Sequence, residues 1–393
     1  MSLKRRSLLL GLGALTLSSL LPSCRSQTSP TLRIQMLENS IPVQLFKQFQ
    51  RQLKQRMALD VVPQPQLAQL YELLLTWKKS QTPDQTGGLP SWVPLVGTKP
   101  PPEVVDLLTL GDYWLTTAIA QGLVAPFAVD ELKGLQQLDA KFQDIVRRDD
   151  QGQLDPNGKL WAAPYRWGTT MIAYRTQEFE TLGGQPTDWS DLWRPELQGR
   201  ISVLDSPRET IGLVLKELGR SVNSDRLDDA VESQLTALHR QVKFYSSNAY
   251  IEPLLLGDTW AAVGWSTDIL PMVAGDRRIA AVVPASGTIL SADLWVRPVG
   301  AASGSSATEP SLVSQWIDFC WQPDTAIQLA LLGSSASPQL ARVNRNTLPE
   351  PLQKNTALLP SIDIVENSEF LQPLSSATLE RYRQLWANVR QTG

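Results

Sequence analysis

The sequence predicts an α/β chain with enough core for two domains, and three observations carry that prediction. Strand-like and helix-like segments alternate from residue 32 onward. The apolar residues within them keep either the two-residue period of a strand or the 3.6-residue period of a helix. The 393 residues are also about two domains' worth of chain at ~100–200 residues each. Strict alternation of the two element types favours a largely parallel sheet, because consecutive parallel strands need a crossover, usually a helix, between them.

The elements follow in order. Residues 32–36, Leu-Arg-Ile-Gln-Met, alternate as a strand, and 43–57 place Leu45, Phe46, Phe49 and Leu53 on one helical face. A second helix is predicted over 67–77, an apolar strand over 104–110, and a helix over 113–121 that Gly122 stops. Between them, 78–102 carries Gln-Thr-Pro-Asp-Gln-Thr-Gly-Gly and Lys-Pro-Pro-Pro, an irregular insertion with Trp92 as its packing anchor. Two turn signals, Asp149-Asp150-Gln151-Gly152 and Asp155-Pro156-Asn157-Gly158, predict a hairpin or crossing loop. Their acids lack the spacing of a calcium loop, so no metal is expected there. Ser206-Pro207-Arg208-Glu209 has the form of a capping box with Pro at the first helical position. Residues 290–298 read as a short mixed run between the Gly287 turn and a Gly/Ser stretch at 300–306, which sets Asp293 in a loop.

Ahead of this body stands a segment of another kind. Lys4-Arg5-Arg6 precedes an apolar run over 8–21 and then Leu21-Pro22-Ser23-Cys24, the pattern of an export signal. The run is shorter than the ~20 residues of a membrane span. Its end resembles the bacterial lipobox, which implies lipid attachment at Cys24 and a signal peptide over 1–24. The Arg5-Arg6 pair resembles a twin-arginine signal and would imply export of a folded chain. Residues 25–31, rich in Ser, Thr and Gln, then read as a flexible tether. Loss of the three cations in 1–23 takes the formal charge from −3 to −6. A mildly acidic chain is a poor partner for nucleic acid, which calls for a basic face.

The sequence also excludes chemistry. With Cys24 lipidated, Cys320 has no intrachain partner, and its setting in Trp316-Ile317-Asp318-Phe319-Cys320-Trp321 predicts a buried, inert thiol. The single histidine, His239, lies in an ordinary helical stretch. There is no G-x-S-x-G elbow and no Cys/His cluster for zinc, so neither a cofactor nor a metal is expected.

Residues 163–174, Ala-Pro-Tyr-Arg-Trp-Gly-Thr-Thr-Met-Ile-Ala-Tyr, are similar to the P-Y-x-W-G-T-T-x-I-x-Y segment of spermidine/putrescine-type substrate-binding proteins of bacterial ABC transporters. Further matches keep that family's order: Asp188-Trp189-Ser190-Asp191-Leu192 with Gly199-Arg200-Ile201, then Asp205-Ser206-Pro207-Arg208-Glu209, then Gly257-Asp258 and Gly264-Trp265. The resemblance implies a type II periplasmic-binding fold of two lobes closing on a ligand. It suggests 32–160 with 291–337 as lobe one and 161–290 with 338–393 as lobe two. It also implies a monomeric receptor, held to the membrane through Cys24, that hands a small amine to an ABC permease.

A polyamine is a string of ammonium groups on methylene spacers, so its cleft wants carboxylates at intervals and aromatic faces between them. By resemblance the ligand-binding residues are Trp167, Glu209, Trp265, Asp293, Tyr113 and Glu38, with Thr169 beside Trp167 on the first crossing strand. Plainer readings stand beside them: Glu209 closing a helix start, Trp265 as sheet core, Asp268 capping a helix from Ile269. The chain also departs from the family pattern. Leu37-Glu38-Asn39-Ser40 lacks the aromatic residues flanking the acid, Gly111 and Ser206 replace a Ser and an Asp, and Ser291 replaces an aromatic. These changes point to a smaller or less charged amine. A lipoprotein of this fold with another solute or a structural role is the alternative, and a two-carboxylate glycoside hydrolase is the enzyme hardest to exclude.

Overall fold

A computed structural model describes residues 30–53, 57–81, 103–128, 130–301 and 310–391. The expected signal peptide, Cys24 and the Trp92 insertion lie outside the described residues, as do the tether up to residue 29 and the Gly/Ser stretch beyond residue 301.

The first strand, Thr31–Leu37, buries Leu32, Ile34 and Met36 and leaves the alternate positions more open, as its period-2 pattern requires. It pairs in parallel with Ala58–Gln64 on one side and Leu107–Gly111 on the other. The intervening helix, Val43–Gln52, is shorter than expected and gives way to a second strand that the sequence pattern did not announce. That strand sits at the sheet edge with few buried positions, so it carries little hydrophobic alternation to read. Phe46 and Phe49 hold the helix to Trp316 of the later helix Leu312–Cys320, at ring separations of 5.2 and 5.1 Å.

The architecture turns on one long strand. Ala163–Arg175 is buried at every position but Arg175. Its first half pairs antiparallel with Ile289–Pro298, which in turn lies antiparallel beside Leu107–Gly111 and so completes the first sheet. Its second half pairs antiparallel with both Ala261–Trp265 and Ile279–Val282. Ala261–Trp265 continues in parallel to Ile201–Val203 and then Val242–Tyr245, which forms the second sheet. The α/β class is as expected. The sheet is mixed rather than largely parallel, because the strands that join the two halves run against their neighbours.

Buried apolar residues gather in two clusters. The first includes Leu32, Ile34, Leu107, Trp295 and Trp316; the second includes Ile172, Trp189, Ile211, Leu235, Val263 and Tyr382. Within 338–393, expected as part of the second lobe, Leu340, Leu348, Leu352 and Leu359 pack in the first cluster. Tyr382 and Val389, on the C-terminal helix Ser376–Gln391, pack in the second. The two turn signals form the expected hairpin, Arg147–Arg148 with Lys159–Leu160. No helix among the described residues is long and apolar enough to cross a membrane.

Candidate functional site

Two helices begin where parallel strands end, one on each sheet. Leu107–Gly111 leads into helix Asp112–Ala120, and Ile201–Val203 leads through a short turn into helix Pro207–Glu217. The carboxyl ends of parallel strands are where α/β sheets form ligand crevices, and the positive end of a helix macrodipole favours an acid in its first turn. Asp112 and Glu209 are those acids, and both are buried, at 9% and 8% exposure.

Each is held by its neighbours. Asp112 Oδ1 accepts from the backbone N–H of Ala292 at 3.0 Å. Ser206 caps the second helix by accepting from the Glu209 backbone N–H, which frees the Glu209 carboxylate to turn elsewhere. One carboxylate oxygen accepts from Thr170 Oγ1 at 2.8 Å and the other from Trp265 Nε1 at 3.1 Å. Glu209 therefore serves at once as a helix-start residue and as a buried acid beside Trp265.

Trp265 ends the strand Ala261–Trp265 and is braced by Tyr250, whose hydroxyl accepts from the Trp265 N–H at 3.1 Å and donates to Asp268 Oδ2 at 3.0 Å. Gly264 makes this brace possible, since a Cβ there would lie 1.9 Å from the Tyr250 ring. Asp268 lies in the first turn of helix Ser266–Gly275 and is open to solvent, at the rim of the group.

The third buried acid, Asp293, lies in the strand Ile289–Pro298 and not in the loop the sequence suggested. It faces Arg166 across the antiparallel pair and accepts from Arg166 Nε in a buried ion pair. Arg166 Nη1 also donates to Ser335 Oγ at 3.1 Å. Among the described residues, Arg166 is the only cation within ion-pair distance of Asp112, Glu209, Asp268 or Asp293.

Burial pushes the Asp112 carboxyl up to about 7, against the Ala292 hydrogen bond and the charge of Arg148, which lies beyond ion-pair distance, and the negative charges of Asp293 and Glu209 push the same way as burial. Burial also raises Glu209, although its bonds from Trp265 and Thr170 and the nearby Arg208 favour the charged form. For Arg166 burial acts downward, and the Asp293 charge, the hydrogen bond to Asp293 and the nearby Tyr165 and Asp268 together more than reverse it. The arrangement is thus short of positive charge at Asp112 and Glu209 and satisfied at Asp293.

Side-chain alternation along Ala163–Arg175 sorts the remaining expectations. Arg166 faces Asp293, a Cβ on Gly168 would meet Ser266 Oγ at 2.5 Å, and Thr170 reaches Glu209, so the even positions face the acids. The odd positions turn away: Tyr165 stacks on Trp295 at 4.2 Å, and Trp167 packs edge-on against Phe142 while its Nε1 donates to Ser337 O. Trp167, expected in the cleft, lies in the first core at 2% exposure. Thr169 is on the same odd face, and its Oγ1 is buried without a partner. Tyr113 stands exposed beside Asp112. Glu38 is exposed in the turn after the first strand and makes no hydrogen bond or ion pair through its side chain among the described residues.

A family model for bacterial extracellular solute-binding proteins matches residues 102–367, about two thirds of the chain. The chain belongs to this family. Within it, the chain is 27% identical over 271 residues to a putrescine/cadaverine-binding protein of Pseudomonas aeruginosa, covering 65% of this chain and 74% of that protein. It is 24% identical over 310 residues to a putrescine-binding periplasmic protein of Escherichia coli, covering 72% and 78%. Of solved structures, a spermidine/putrescine ABC transporter substrate-binding protein of Streptococcus pneumoniae superposes with a TM-score of 0.72 at 19% identity, over 92% of this chain and 99% of that one. That likeness shows the shared two-lobed fold. These relatives are solute receptors of the family and not enzymes.

The fold positions Asp112 and Arg166, which sequence reasoning did not nominate. Asp112 adjoins the retained Tyr113 and opens a helix after an apolar strand, a signal that was readable. Arg166 stood inside the quoted motif, and a charged residue in the middle of a 13-residue buried strand was its sign.

Proposed function

We propose that this solute-binding receptor takes a polyamine or a related small amine between its two lobes and delivers it to an ABC permease in the membrane. The observation that carries the reading is the pair of buried carboxylates, Asp112 at the first sheet and Glu209 beside Trp265 at the second, with no cation among the described residues in ion-pair range of either. Burying an uncompensated carboxylate costs several kcal/mol. A ligand ammonium placed against Glu209 removes that cost, and the Trp265 ring adds ~0.5–2 kcal/mol of cation–π attraction. The amine relatives in the same family support the same class of ligand.

Because Asp112, Glu209 and Asp293 are so little exposed, a ligand reaches them only when the lobes part. In this reading the shared strand Ala163–Arg175 and the adjacent Ile289–Pro298 form the hinge. The ligand then shifts the open–closed balance by its stronger contacts in the closed state. In this reading the lobes divide as the two sheets do, with the segment after residue 338 on the first lobe until the C-terminal helix crosses to the second. Cys24 would carry the lipid that keeps the receptor, a monomer, at the membrane from which it supplies its permease.

The test is calorimetric titration of the 25–393 form with putrescine, cadaverine, agmatine and spermidine at pH 7.5. Saturable binding to an amine that Glu209→Gln weakens at least tenfold is the expected result. Silence toward every amine, with saturable binding of an uncharged or anionic solute, would sink the amine reading while leaving the receptor intact.

A further inference from the structure

Arg166 is an unusual occupant for a cleft that receives cations. Its guanidinium keeps its charge at any accessible pH, it is 6% exposed, and it lies on the same face of the shared strand as Thr170, which touches Glu209. It is held from two directions, by Asp293 across the strand pair and by Ser335 beyond the helix Pro323–Gly333. Cross-strand register fixes Arg166 opposite Asp293, so the pair is set by two backbones and not by rotamer choice alone. A second ammonium brought to Asp293 would meet a carboxylate already neutralised and a like charge beside it. By contrast, Asp112 and Glu209 have no cation within ion-pair distance among the described residues, Arg148 and Arg208 acting on them only from further off.

We propose that Arg166 is a built-in substitute for one ammonium group of the ligand, so that this receptor selects an amine charged at one end only, over a diamine of equal length. The ammonium lies toward Glu209, Asp112 and Trp265; the uncharged far end lies toward Arg166 and Ser335. The inference rests on the amine reading given above and narrows it from polyamines to monoamines.

The matched probes are 1-pentylamine and cadaverine, which differ only in the second ammonium, titrated at pH 7.5 into the wild-type 25–393 form and its variants. Wild type is expected to bind pentylamine at least as tightly as cadaverine. Arg166→Met opens Asp293 to the second ammonium and is expected to turn the preference toward cadaverine by tenfold or more; R166M/D293N is expected to abolish that gain. Should R166M fail to fold, Asp293→Asn provides the second reading. It leaves Arg166 uncancelled and is expected to tighten binding of 5-aminopentanoate by tenfold or more relative to pentylamine. A wild-type preference for cadaverine above tenfold overturns the inference, as does an unchanged preference in R166M, which would make the ion pair a structural tie between strands. Absence of binding by any amine in wild type and variants overturns the amine reading itself, and this inference with it.

Discussion

Replacing Gly264 with alanine tests the packing that aims Trp265 and Asp268. The added Cβ would lie 1.9, 2.2 and 2.5 Å from Cε2, Cζ and the hydroxyl oxygen of Tyr250. An ordinary carbon contact is ~3.5 Å, so the ring must withdraw by roughly 1.6 Å. Tyr250 is almost fully buried and has no free space to retreat into without moving its neighbours. Overpacking of this kind costs ~1–3 kcal/mol. Withdrawal also breaks the bonds from Trp265 N–H and to Asp268, at ~1 kcal/mol each. The expected loss is therefore about 3–5 kcal/mol, measured as a lowered midpoint of urea unfolding with an unchanged slope. Amine affinity should fall with it, since Trp265 loses its brace. The double variant G264A/Y250A should be little less stable than Y250A alone, because the colliding ring is gone. A loss below about 1 kcal/mol in G264A, or additive effects in the double variant, would refute the reasoning.

The remaining predictions follow from the same contacts. Asp112 has its folded-state pKa raised to about 7 from an ordinary value of 3.8, so the folded state binds more protons than the unfolded chain. The unliganded protein should accordingly lose stability as pH rises from about 4 to 7, and Asp112→Asn should flatten that slope in thermal melts taken across the range. Trp265→Phe removes the Nε1 donor from Glu209, and calorimetry should find amine affinity lowered about 5- to 30-fold, corresponding to ~1–2 kcal/mol. Trp167→Phe should cost ~0.5–1.5 kcal/mol of stability through the lost bond to the Ser337 carbonyl, which keeps its bond from the Leu340 N–H, with ligand affinity changed less than threefold in the same titration. Cys320, whose thiol burial pushes far up, should resist a thiol reagent in the native protein and react on unfolding.

How much of this was legible in the sequence differs by element. Alternating strands and helices from residue 32 showed the α/β class, because one face of each element stays wet enough to leave a periodic trace. The shared strand left none: with both faces buried it reads as continuous, so hydropathy could not say which parity points to the cleft. Resemblance to the family motif nominated Trp167, whereas Arg166 and Thr170 are the residues that meet Asp293 and Glu209. Glu209 was open between a helix cap and a site residue; the Ser206 hydroxyl caps the helix by accepting from the Glu209 backbone N–H, which leaves the Glu209 carboxylate to Thr170 and Trp265. Asp293 and Arg166 are 127 positions apart, a pairing that only the register of two antiparallel strands brings together. The segment between residue 338 and the C-terminal helix carried no periodic signal strong enough to choose a lobe, being built from turns and short helices.

A single strand belongs to both sheets, and on the proposed reading it would tie cargo choice to mechanics. Its first half is bonded into one sheet and its second half into the other, so any opening of the lobes must flex the backbone that also displays Arg166 and Thr170. Substitutions there would alter the stiffness that decides how long a loaded receptor stays shut while it waits for its permease. Asp112 and Glu209 sit on helix starts outside that strand, and their exchange would cost it no more than the Thr170 bond to Glu209 and none of its backbone pairing. Divergence toward new cargo on this frame is therefore expected to begin at the helix starts and to reach the pivot strand last.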